Sequence, residues 1–210
     1  RIAVVGTLIH ARNELFGSWS PDGRAADVTP LDEALKQIAP KGIELVFADH
    51  ADKAVHIAHN VDAVVLVVGE YPYRSGENSN VSDCSLPPGQ AELVEAACAW
   101  GKPVVLVVIA GRPLAITKQV NQVDAVLYAW QPGIEGGGAL GEILFGLESP
   151  SGRLPITIPR ATGQVPIYYN QKNSGRPINP NGAFKSRYVD LPNAPLYPFG
   201  YGLTYTSFEY

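Results

Sequence analysis

The run Ala63-Val64-Val65-Leu66-Val67-Val68 constrains the fold more than any other stretch, because it offers no polar position on either face. A strand that is apolar on both faces belongs in a sheet covered from both sides, and such sheets are mostly parallel. Residues 2–5, 43–47, 104–109 and 125–129 have a similar strand-length, largely apolar character. Between these runs fall amphipathic segments at residues 31–39, 51–59, 90–100 and 136–145. The alternation is that of βαβ units. The expected fold class is α/β, a three-layer α/β sandwich with a mostly parallel sheet.

Residues 90–100 show the helical period best. Leu93, Val94, Ala97 and Cys98 make one apolar stripe, and Glu92 and Glu95 fall off it. Gly101 then ends the helix, and Lys102-Pro103 leads into the next strand. Thr29-Pro30 reads as the start of the first helix, with Thr29 as its cap. After Gly146 the texture changes. Leu154-Pro155-Ile156-Thr157-Ile158-Pro159 alternates between prolines, as a late edge strand would. From Arg160 onward periodicity disappears, yet Tyr168, Tyr169, Phe184, Tyr188, Tyr197, Phe199, Tyr201, Tyr205 and Phe208 are unlike a disordered chain, which is aromatic-poor. An irregular but ordered Pro/Tyr-rich wrap packed against the sheet is expected over residues 160–210.

With 210 residues, 46% of them hydrophobic and 17% charged, the chain can bury one substantial core. A single domain over residues 1–210 is the expectation. A net charge of -4 supplies no basic field for nucleic acid or an anionic membrane. The apolar runs fall well short of the ~20 residues that span a bilayer. The chain opens directly in a strand and contains no Met, and it is read as a fragment trimmed at domain boundaries. Cys84 and Cys98 are too few for a disulfide scaffold, and Cys98 is expected to act as a small buried hydrophobe.

The loop after residues 63–68 concentrates chemistry: Glu70, Tyr71, Tyr73, Arg74 and Glu77 follow Gly69. In open parallel sheets ligands bind beyond the carboxyl ends of the strands. A carboxyl group held there can work as a general acid, and tyrosine rings suit sugars or other polyols. The bland reading is a solvated loop whose acids pair with arginines. Trp19, in Gly17-Ser18-Trp19-Ser20-Pro21, sits among turn residues and is either a ring platform for a ligand or a cap on the edge of the core.

Other motifs carry less. Gly6-Thr7-Leu8 is not a dinucleotide fingerprint, and no phosphate-loop pattern occurs. Residues 133–138 could seat an anion at a helix start, but tight turning with close packing is the simpler role. His10, His50, His56 and His59 lack the partners of a metal site. Ser18, Ser75 and Ser151 lack a nucleophile elbow. No metal and no cofactor is expected, and a nucleotide-binding domain is the more distant rival.

Several segments, in order, resemble family 3 glycoside hydrolases. They are Gly17-Ser18-Trp19, Val68-Gly69-Glu70, Ser75-Gly76-Glu77, Leu86-Pro87-Pro88-Gly89-Gln90 and Gly101-Lys102-Pro103. Gly111-Arg112-Pro113-Leu114, Ala129-Trp130-Gln131-Pro132-Gly133, Leu144-Phe145-Gly146 and Ser151-Gly152-Arg153-Leu154-Pro155 continue the series. The tail, from Gln164-Val165-Pro166-Ile167-Tyr168-Tyr169-Asn170 to Tyr197-Pro198-Phe199-Gly200-Tyr201-Gly202, is similar to the periplasmic β-glucosidase branch. The resemblance implies the C-terminal α/β sandwich domain of a multidomain enzyme in the periplasm or secreted.

In that family a preceding (β/α)8 barrel supplies the aspartate nucleophile and most of the sugar pocket, and this domain packs against it. The sandwich domain supplies the acid/base glutamate, and a fibronectin type III-like domain often follows. Substrates implied are β-linked gluco-oligosaccharides and aryl or alkyl glucosides. Bacterial members carry the acid/base in Ser-Gly-Glu, which matches Glu77. Plant exohydrolases carry it in Val-Gly-Glu, which matches Glu70. The tail favours Glu77. Relatives commonly have Ser-Arg or Asp-Arg shortly afterwards, where this chain has Ser79-Asn80. Trp19 resembles an aromatic of the leaving-group subsite, and Tyr71, Tyr73 and Arg74 are further substrate-binding candidates. The alternative is a non-catalytic carbohydrate-binding or lid domain, distinguished by whether the Glu77 loop points outward or folds back on its own sheet.

Overall fold

A computed structural model describes residues 1–50, 54, 56–57, 60–172, 174–176 and 186–209. Five parallel strands form one sheet: β1 Ile2–Val5, β2 Leu45–Ala48, β3 Ala63–Gly69, β4 Val104–Ile109 and β5 Ala125–Tyr128. Their order is β2-β1-β3-β4-β5, so the direction of winding reverses between β1 and β3. The helices are α1 Asn13–Phe16, α2 Leu31–Ile38, α3 Gln90–Cys98, α4 Thr117–Val120 and α5 Gly136–Leu144. The helix expected over residues 51–59 falls largely outside the described residues, as do His59 and Phe184.

Alternate side chains of each central strand enter opposite layers, and both layers are apolar. Val64, Leu66, Val68, Leu106 and Val108 pack with Leu93, Val94 and Ala97 of α3. Val65, Val67, Val107 and Ile109 pack with Leu15, Leu31, Leu35 and Leu140, from α1, α2 and α5. Burial on both faces is why β3 and β4 tolerate no polar residue. The expected three-layer α/β sandwich is thus observed. No helix among the described residues is long and apolar enough to cross a membrane.

Several details differ from expectation. Pro30 caps α2, and Thr29 instead donates its backbone N–H to the Ile134 carbonyl. β2 starts later than expected, because residues 40–43 close a turn in which Ile43 N–H bonds the Pro40 carbonyl. α1 and α4 are four residues each, too short to show a period. Gly6, at φ 134°, serves strand packing: a Cβ there would meet the Val67 carbonyl. The predicted edge strand does not join the sheet. Ile158 and Leu154 bond instead to the tail, to Tyr197, Leu196, Gly200 and Tyr201.

Among its described residues the tail has no regular element beyond one 3₁₀ turn, and it is tied to the rest of the chain by hydrogen bonds more than by buried rings. Ile158 is fully buried, Gln164 bonds the Pro192 carbonyl, and Tyr205 Oη donates to the Ile143 carbonyl. Two pairs of its rings stack on one another: Tyr169 on Phe199 at 4.3 Å and Tyr197 on Tyr201 at 4.8 Å. Tyr168, Tyr169, Phe199, Tyr205 and Phe208 remain exposed. Cys84 and Cys98 are free and half-buried rather than fully inside, and burial pushes both thiols up.

Candidate active site

Loops from β1, β3, β4 and β5 converge at the carboxyl edge of the sheet, where the strand order reverses. Open α/β sheets place their crevice at such a point. β3 ends at Gly69, whose φ of 141° and position 1.7 Å (for an added Cβ) from the Ile109 carbonyl leave no room for a side chain. The Gln90 side chain clamps this residue, accepting from Gly69 N–H at 2.8 Å and donating to its carbonyl at 2.9 Å. The strand's last register is thereby locked before the loop begins.

Glu70 is then turned inward, with its side chain 1% exposed. Arg74 Nε donates to Oε1 at 3.0 Å, and Arg112 Nε, from the β4 loop, donates to Oε2 at 2.9 Å. Both carboxylate oxygens are thus engaged by guanidinium groups. Residues Pro72–Arg74 make a single 3₁₀ turn. Tyr71 is half-buried beside it, and Tyr73, 73% exposed, stacks on Tyr71 at 5.9 Å with rings nearly parallel.

Glu77 faces the other way. Ser79 N–H bonds the Gly76 carbonyl at 3.2 Å and Asn78 adopts φ 59°, so residues 76–79 form a β-turn with Glu77 at its tip. Glu77 is exposed to solvent. The turn is held at both feet: Ser18 Oγ donates to the Ser75 carbonyl at 2.6 Å, and Arg112 Nη2 donates to the Ser79 carbonyl at 2.9 Å. Arg112 Nη2 also donates to the Arg74 carbonyl. Gln131, from the β5 loop, donates to Ser75 Oγ at 3.3 Å.

Trp19 does not cap the core. It is 71% exposed, and a Cβ on Gly76 would lie 3.7 Å from its Nε1, which sets the indole beside the Glu77 turn. An open cleft of about 480 Å³ lies alongside, lined by Glu14, Phe16, Ser18, Ser20, Tyr71 and Tyr73. A second hollow, on the other side of the two tyrosines, is lined by Asp49, His50, Arg74 and Gln90 among others. The structure thus brings Trp19, Tyr71, Tyr73 and Glu77 to one edge. Arg74 is drawn partly inward as the partner of Glu70.

Sequence reasoning passed over Arg112, Gln90, Gln131 and Ser18 as single residues, because a long-range clamp has no spacing to recognise. Two of the described histidines each approach a carboxylate: His10 Nδ1 meets the buried Asp32 at 3.1 Å, and His50 approaches Asp49. Burial alone would raise the Asp32 pKa, but hydrogen bonds from Lys36 and His10 hold its carboxyl below the usual range. No cluster of metal-ligating residues occurs among the described residues.

The family model of the glycosyl hydrolase family 3 C-terminal domain matches residues 1–205. A periplasmic β-glucosidase of Salmonella typhimurium is 39% identical over 239 aligned positions, covering 99% of this chain and 31% of that protein. A β-xylosidase of Formosa agariphila is 33% identical, covering 100% of this chain and 30% of its own length. The crystal structure of a β-glucosidase from Listeria innocua in complex with glucose superposes with a TM-score of 0.92 at 35% identity, over 100% of this chain and 30% of that one. The chain therefore spans about a third of the length of the relatives it matches. It belongs to glycosyl hydrolase family 3, as the C-terminal domain of that family.

Proposed function

We propose that this domain supplies the general acid/base of a retaining β-glucosidase, and that Glu77 is the residue. The observation that carries the reading is the opposite disposition of the two glutamates. Glu77 stands exposed at the tip of a pinned turn, whereas the Glu70 side chain is 1% exposed and both its oxygens are engaged. A general acid must come within hydrogen-bond reach of the oxygen it protonates. Glu77 has that access and Glu70 does not.

In a retaining mechanism two carboxyl groups stand ~5–5.5 Å apart. An aspartate from the remainder of the parent protein, expected on a (β/α)8 barrel against which this domain packs, attacks the anomeric carbon. Glu77 donates its proton to the glycosidic oxygen, and the leaving alcohol departs. Glu77, now a carboxylate, takes a proton from water as that water displaces the aspartate and releases the sugar. Trp19 beside the Glu77 turn and Tyr73 on the neighbouring cleft offer exposed rings for the leaving group, which suits a second glucosyl unit or an aryl or alkyl aglycone. A periplasmic or secreted location is proposed from the Salmonella relative. The outward-facing turn favours catalysis over the non-catalytic lid, whose loop would fold back on its own sheet.

The test compares Glu77→Gln and Glu70→Gln in the full-length protein, on cellobiose and on dinitrophenyl β-glucoside. Glu77→Gln is expected to lose ~10²–10⁴-fold on cellobiose and far less in the first step with the activated glycoside. Glu77→Ala with added azide is expected to yield β-glucosyl azide, since azide needs no general base. Parental hydrolysis of cellobiose by Glu77→Gln would remove the assignment, and azide rescue confined to Glu70→Ala would transfer it to Glu70.

A further inference from the structure

Glu77 sits at the tip of a turn that belongs to no helix or strand and is preceded only by the single 3₁₀ turn Pro72–Arg74, so other contacts must fix where its carboxyl points. The hydrogen bonds at the feet of the turn identify what does. Ser79, which closes the turn, gives its carbonyl to Arg112 Nη2 at 2.9 Å, and Ser75, which precedes it, gives its carbonyl to Ser18 Oγ at 2.6 Å. Arg112 comes from the loop after β4 and Ser18 from the stretch after β1, so the turn is tied to both neighbours of β3.

Arg112 is itself fixed. Its Nε donates to Glu70, its carbonyl accepts from Tyr128 Oη at 2.6 Å, and its side chain is 18% exposed. The same Nη2 also donates to the Arg74 carbonyl, so one guanidinium holds the chain on both sides of Glu77. Glu70 acts as the buried counter-ion that keeps this guanidinium in place. A planar fork can serve three acceptors at set angles, which the point charge of a lysine cannot do.

We infer that Arg112 and Ser18 are positioning residues for the acid/base, holding the Glu77 turn by its two feet so that the carboxyl reaches the leaving-group oxygen. The inference rests on the assignment of Glu77 made above. Neither side chain need touch the substrate for this role. Displacing a reacting group by ~1 Å can cost ~10²-fold in rate. The loss falls on substrates that need protonation and spares those that do not.

The experiment uses the full-length protein with Arg112→Lys, Ser18→Ala, Glu77→Gln and the Glu77→Gln/Arg112→Lys double variant, and measures kcat/KM on cellobiose and on dinitrophenyl β-glucoside. Arg112→Lys is expected to lose ~10- to 100-fold on cellobiose and under about 5-fold on the activated glycoside. Ser18→Ala should show the same selectivity at smaller size, with an unchanged melting temperature, and so keeps the test open if Arg112→Lys folds poorly. On the Glu77→Gln background Arg112→Lys should cost less than about 2-fold more, because residues acting through one group are not additive. Equal losses on both substrates, or a double variant that loses the full product of the two factors, overturns the positioning role while leaving Glu77 in place. Parental cellobiose activity in Glu77→Gln alone overturns the Glu77 assignment, and this inference with it.

Discussion

Tyr128 shows how one side chain ties the site to the sheet. Its hydroxyl accepts from Leu114 N–H at 2.9 Å and donates to the Arg112 carbonyl at 2.6 Å, joining the end of β5 to the loop that carries the clamp. Removing the hydroxyl leaves two backbone groups without that partner, so Tyr128→Phe is expected to lower stability by ~1–3 kcal/mol at neutral pH. Burial pushes the phenol's pKa well above its ordinary value, so the folded protein holds the neutral form. A group raised in this way stabilises below its unfolded pKa, about 10, and that contribution fades as pH climbs from there toward the folded value. Urea unfolding of the parent and of Tyr128→Phe at pH 8 and pH 10.5 checks this. The gap between them is expected to narrow at the higher pH, and a gap that widens would contradict the sign. The clamp on Glu70 makes a related point, since both oxygens of its carboxyl are engaged by guanidinium groups beside the loop proposed to carry the acid/base.

At the scale of elements, α2 and α5 pack so closely that the glycines of α5 are not equivalent. A Cβ on Gly137 would lie 2.3 Å from the Thr29 carbonyl oxygen and 2.7 Å from Pro30, all backbone that cannot step aside. A Cβ on Gly138 would meet nothing within 4 Å. Gly137→Ala is therefore expected to cost ~1–3 kcal/mol by overpacking, while Gly138→Ala gains up to ~0.5–1 kcal/mol because alanine loses less backbone freedom in a helix. Thermal melts of the two variants should move in opposite directions, and a shared direction would mean that contact with α2 does not set the difference. The run Gly136-Gly137-Gly138 is uniform in one dimension and becomes distinct only when α2 is laid across it. The strands were legible for the converse reason: burial on both faces writes itself as an unbroken apolar run in β3 and β4. The late segment around Ile158 misled because alternation reports a two-sided surface without naming its partner, and that partner is the tail. Local spacing alone does not separate Glu70 from Glu77 on one loop; only the resemblance of the tail favours Glu77. Arg112, far off in sequence, decides which of them is buried.

The molecule as a whole presents a carboxyl edge of sheet on which Trp19, Tyr73 and Glu77 stand exposed, and a tail in which Tyr169, Phe199 and Tyr201 are exposed. Exposed rings at this edge suit the proposed packing against the rest of the parent protein. Retaining hydrolysis needs a second carboxyl opposite the first, and both oxygens of Glu70 are already engaged by Arg74 and Arg112. The chain spans about a third of the relatives it matches, so the nucleophile is expected from the remainder of the parent protein. It follows that the purified 210-residue chain should fold, by circular dichroism and cooperative melting, and yet be inert. Its turnover of an aryl β-glucoside is expected to fall roughly 10⁵-fold or more below that of the full-length protein, the scale of advantage that a positioned reacting group confers. Residual activity that survives exhaustive purification and disappears with Glu77→Gln would show that the chain carries both halves of the acid pair, and the division of labour argued from the clamp would have to be abandoned. An inert chain that does not melt cooperatively would point elsewhere, to a sandwich that depends on its neighbour for stability as well as for chemistry.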